Sequence, residues 1–106
     1  MAATLTENEF SKHVNTRFRV NVVDAPAPIV LDLVEVKGYP NKDNPGEQGE
    51  MERFSLYFHG PATFLPQAIY PISHEGMGDF DLFLVPIGSI ENGFRYEAVF
   101  NYHVKK

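Results

Sequence analysis

The chain has 106 residues, a formal net charge of −5, nine Phe, five Tyr and no Cys. A chain this long forms one domain, residues 1–106, and buries roughly 65% of its unfolded surface without staples; the missing cysteines exclude thiol catalysis, disulfides and thiolate metal sites. The acidic balance, with basic residues scattered apart from Arg17/Arg19 and Lys105-Lys106, argues against nucleic acid, and no stretch approaches the roughly 20 apolar residues of a membrane span.

In chain order, the N-terminus has neither a basic nor an apolar leader region, so a cytoplasmic protein is expected. Thr6 and Glu9 have capping-box spacing, with Leu5 and Phe10 where a hydrophobic staple forms. A short helix over 5–14 follows, its turns running from about Glu7 to Val14. From Arg17 the period changes to two, with Phe18, Val20 and Val22 on one face of a first strand. Asp24-Ala-Pro-Ala-Pro28 breaks it. A second strand runs from Ile29 to Lys37 with apolar residues at both parities, the mark of cover on both faces or of a bulge.

Residues 38–50 are rich in Gly, Pro and Asn and read as a flexible polar loop. The third strand, Arg53 to Gly60, sets Phe54, Leu56 and Phe58 against Ser55, Tyr57 and His59 on a wet face. A fourth, around Ala68 to His74, is demoted by Pro71 to an edge or kinked position. Strands at Phe80–Gly88 and Phe94–His103 then form a hairpin. A five-residue loop, Ser89 to Gly93, is predicted, since it sets Leu84 against Ala98, Leu82 against Phe100 and Phe80 against Tyr102. A two-residue turn at Asn92-Gly93 would place Asn101 and His103 beside those leucines. The face opposite the core then carries Asp79 and Asp81, with Phe83, Val85, Ile87 and Val99, too apolar to be left wet. The fold class expected is mainly β: a single antiparallel β-barrel or two-sheet sandwich of about six strands, with one short N-terminal helix plugging an end.

No reaction centre is legible. The four histidines lack zinc spacing, and solvated surface positions are the default for His13, His59, His74 and His103. Asp79 and Asp81 share a strand face and read as a charged outer surface rather than a Ca²⁺ pair. Glu97 has Arg95 two residues away to neutralise it. No serine sits in a nucleophile elbow, and Gly76, Gly78, Gly88 and Gly93 fall at turns where positive φ is the simplest reason for glycine. No cofactor, catalytic residue or metal site is assigned. The candidate ligand- or partner-binding residues are Tyr57, His59, Gln67, His74 and Glu97.

Phe54-x-Leu-x-Phe58-x-Gly-Pro61, Leu65-Pro-Gln67, Leu82-Phe-Leu-Val-Pro-Ile-Gly88 and Tyr96-Glu-Ala-Val-Phe-Asn101, taken in that order, resemble a small bacterial domain family of unknown function. The resemblance covers about Leu5 to Asn101, and the sequence departs from it in the 38–50 loop and the Tyr102–Lys106 extension. It implies a short stand-alone protein without assigned catalytic residues, in a family with members encoded beside phage-tail-like or collar-type proteins. The function expected is a non-enzymatic binding or assembly module whose partner is another protein or a second copy. A small carrier or enzyme using a pocket inside the barrel, and a structural component of a phage-tail-like particle, are the rival expectations.

Overall fold

The computed structural model describes residues 6–23, 25–39 and 51–103, with 39, 51, 52 and 101–103 described by backbone only. It contains a helix, α1 (Glu7–Ser11), and six strands: β1 (Arg17–Val20), β2 (Ile29–Tyr39), β3 (Met51–Gly60), β4 (Ala68–His74), β5 (Gly78–Ile90) and β6 (Gly93–His103). All neighbours are antiparallel, and one sheet closes on itself in the order β1-β2-β3-β6-β5-β4. A closed sheet, not two stacked sheets, is therefore the outcome.

The interior follows from strand alternation. Phe18 and Val20 of β1, Leu31 and Leu33 of β2, Phe54, Leu56 and Phe58 of β3, Ile72 of β4, Leu82 and Leu84 of β5, and Tyr96 and Ala98 of β6 are all buried. Both ends are closed. At one, Thr6 caps α1 by accepting the Glu9 backbone N–H (3.1 Å), and Phe10 drops its ring among Phe18, Phe54, Phe80 and Phe100 at centroid distances of 6.3, 6.0, 5.8 and 5.5 Å. At the other, the loop after β3 buries Leu65, whose backbone N–H donates to the Tyr96 hydroxyl (2.9 Å). Burial pushes the Tyr96 phenol up, and the Leu65 bond partly offsets this.

Several expectations are corrected. The helix stops at Ser11, capped by Lys12, and after a turn Asn15 takes a left-handed φ of 73° that leads the chain into β1. Strands β2 and β3 extend to Tyr39 and from Met51, so the polar loop begins later than expected; residues 40–50, Leu5 with its staple, and 104–106 lie outside the described residues. In β2 the mixed parity is a bulge between Leu33 and Glu35, which moves the inward positions from Leu31 and Leu33 to the half-buried Val36. The outer side of β3 is not wet: Ser55 is buried, and Tyr57 and His59 are half-buried.

The hairpin turn is shorter than expected. Ile90 pairs with Gly93 across Glu91-Asn92, and Asn92 adopts φ 68°. A bulge between Pro86 and Gly88 then shifts the register by one, to Val85–Glu97. Val85–Glu97 is the offset that a five-residue loop would give, here produced by a tight turn plus a bulge, but the expected Leu84–Ala98 pair lies beyond the end of the ladder. The ladder ends at Val85–Glu97 among the described residues, so Leu82–Phe100 and Phe80–Tyr102 are not paired in it. Of the described glycines only Gly78 has positive φ (85°). Gly93 is glycine because a Cβ there would strike the Gly60 carbonyl.

Candidate functional site

Three features of the surface carry candidate residues. The first is an outward cluster on β2, β3 and β6. The Arg95 guanidinium lies 4.6 Å over the Tyr57 ring, reaches Glu35 at 3.6 Å and places Nη1 2.8 Å from His59 Nε2. Arginine only donates, so that His59 nitrogen accepts and the proton sits on Nδ1. Glu97 accepts from the Tyr57 hydroxyl at 3.1 Å. Arg95 thus turns to Glu35 and His59, and it is Tyr57, not Arg95, that holds Glu97. The structure brings Tyr57, His59 and Glu97 together, with Arg95 and Glu35 added. These groups answer one another, which suits a rigid polar rim and offers no nucleophile poised beside a base.

His74 is elsewhere, at the end of β4 against the turn that follows α1, buried where sequence suggests a solvated position. Its Nδ1 accepts the backbone N–H groups of Gly76 (2.9 Å) and Met77 (3.1 Å). Nε2 therefore carries the proton and donates to Thr16 Oγ1 (2.9 Å), which donates in turn to the His13 carbonyl (2.6 Å). The ring packs on Phe18 at 4.2 Å and meets His13 edge-on at 4.6 Å. Burial, then the neighbouring His13 and Arg19 charges, push the imidazole below its usual value, while Glu75 opposes this. A surface hollow of about 590 Å³ lies beside it, lined by His13, Thr16, Arg17, Arg19, His74, Glu75 and Gly76. Gln67 belongs to neither group; it is exposed in the loop between β3 and β4.

The third feature is apolar. On the outer face of β4, β5 and β6, Ile69, Phe83, Ile87 and Val99 are 67, 47, 44 and 60% exposed. Ile69 and Phe83 are ladder partners. Neither α1 nor the rest of the described sheet covers them. Strand alternation in the sequence flags Phe83, Ile87 and Val99; Ile69 is missed because its exposure depends on which strand lies beside β4.

Among the described residues no helix is long and apolar enough to cross a membrane. A family model described as a domain of unknown function (DUF6916) matches residues 5–100. No curated protein and no solved structure matches the chain.

Proposed function

We infer that this chain, which belongs to the family described as a domain of unknown function (DUF6916), is a non-enzymatic binding or assembly module that docks protein through the outer face of β4, β5 and β6. The exposure of Phe83 and Val99, flanked by Ile69 and Ile87, carries this reading. Contiguous apolar side chains on an outward sheet face mark interaction sites more often than isolated ones do, and here three strands contribute to one patch. The polar cluster of Tyr57, His59, Arg95 and Glu97 borders the patch through the Val85–Glu97 pair, giving an apolar centre with a polar rim. A carrier or enzyme with its pocket inside the ring is less well supported: Tyr57, His59 and Glu97 face outward, and aromatic rings from α1, β1, β3, β5 and β6 pack against one another within.

A photo-crosslinking amino acid at position 99, introduced in the producing cell, should give covalent adducts on irradiation. The same residue at the exposed position 32 should give few. Equal or absent labelling at both positions would overturn the docking reading.

A further inference from the structure

The hollow beside His74 reverses the charge balance of the chain. The sequence has 14 acidic residues against nine basic ones, yet Arg17 and Arg19 both line this hollow and, among its described lining residues, Glu75 is the one carboxylate. Strand alternation places the arginines: Phe18 and Val20 of β1 point into the ring, so Arg17 and Arg19 share the outward face, about 6.6 Å apart along the strand. The ladder partners of Arg19 are Val30 and Ser73, neither of them charged. Arg19 makes no ion pair among the described residues, and Arg17 reaches Asp32 at 3.9 Å between two well-exposed side chains, a pair worth little in water. Both guanidinium groups therefore keep donors to offer. The rest of the lining is fixed. His74 uses both ring nitrogens, Nδ1 on two backbone N–H groups and Nε2 on Thr16, and Thr16 in turn donates to the His13 carbonyl. Gly76 has no side chain where a Cβ would lie 2.8 Å from His13 Cε1, which leaves the His13 ring seated against His74. The volume, about 590 Å³, falls in the range of small-molecule sites.

We propose that this hollow binds a phosphate group, free or carried on a small molecule, held between the guanidinium forks of Arg17 and Arg19. A carboxylate has two oxygens and saturates one fork, whereas the additional oxygens of a phosphate accept from a second. Glu75 opposes the ligand and Asp32 competes with it for Arg17, so the expected affinity is modest, about 1 mM for phosphate alone. The site shares no residue with the apolar patch of β4, β5 and β6 and stands independently of the docking reading.

Two-dimensional NMR of the full chain, titrated with inorganic phosphate at constant ionic strength and about pH 7.5, should show saturable shifts of the Arg19 and Gly76 amides. Arg17→Gln and Arg19→Gln should each weaken binding about tenfold, and Arg19→Lys, which keeps the charge but not the fork, should recover part of that loss. Glu75→Gln should tighten binding about threefold, since it removes the opposing charge. Phenyl phosphate binding more tightly than phosphate identifies a phosphate ester whose organic part lies along the histidine wall; equal affinities identify the free anion. Each variant's circular dichroism spectrum must match the parent's. The proposal is overturned by a titration without saturable shifts, by acetate binding as tightly as phosphate, or by an affinity unchanged in either glutamine variant of the arginines. Should those variants fail to fold, an affinity unchanged or weakened in Glu75→Gln overturns it equally.

Discussion

At the scale of single residues, His74 is the position where side-chain chemistry and packing are most tightly joined. Two backbone N–H groups donate to its Nδ1, so protonation would cost both bonds as well as the desolvation of a buried charge. The folded chain therefore binds this proton less readily than the unfolded chain. Its contribution is fully present above the ordinary value of 6.5 and is lost as pH falls below it through the lowered folded value. The urea midpoint should fall between about pH 7 and about pH 5, and His74→Asn, whose carbonyl can take the Nδ1 role, should flatten that slope. An equally steep slope in the variant would refute the assignment. The sequence places a histidine at a strand end but gives no sign that Thr16 and Met77 meet around it, since the Thr16–His74 bond spans 58 residues.

At the scale of elements, α1 is too short to be stable by itself. Its role is to deliver Phe10 into the ring, where the side chain is fully buried. Phe10→Ala should cost about 3–5 kcal/mol, whereas Thr6→Ala, which removes only the cap, should cost about 1 kcal/mol. Urea unfolding measures both; equal losses would show that the helix itself, not the plug, is what stabilises this end. The hairpin teaches a different lesson. Burial of Leu84 and Ala98 is readable from alternation, but the turn is not, because a bulge near Pro86 lets a tight Glu91-Asn92 turn reach the same downstream register as a longer loop.

At the scale of the whole molecule, closure is uneven. The β3–β6 ladder runs from Met51–His103 to Gly60–Phe94, while the β1–β4 seam consists of Arg19–Ser73 and Val20–Ile72. Local opening follows the shortest ladder. Amide exchange at Val20 and Ile72 should be about tenfold or more faster than at Leu56 and Ala98, as measured by NMR hydrogen exchange. The reverse order would place the seam elsewhere. Pro71 fits this view: it lies just past the seam on β4, where Asn21 donates its N–H to the Pro71 carbonyl (2.9 Å).

What the sequence determined by itself is the set of strands and their inward residues, because the two-residue period of Phe54-Leu56-Phe58 or Phe18-Val20 is local and does not depend on strand order. Capping likewise needs only Thr6 and Glu9. The tertiary structure alone decided that β4 closes onto β1, that His74 is buried, that Arg95 serves His59 and Glu35 rather than Glu97, and that nothing in the described chain covers Phe83 and Val99. Each of these depends on which distant strand becomes a neighbour. Neighbours are chosen by the packing of the whole interior, which no local pattern records.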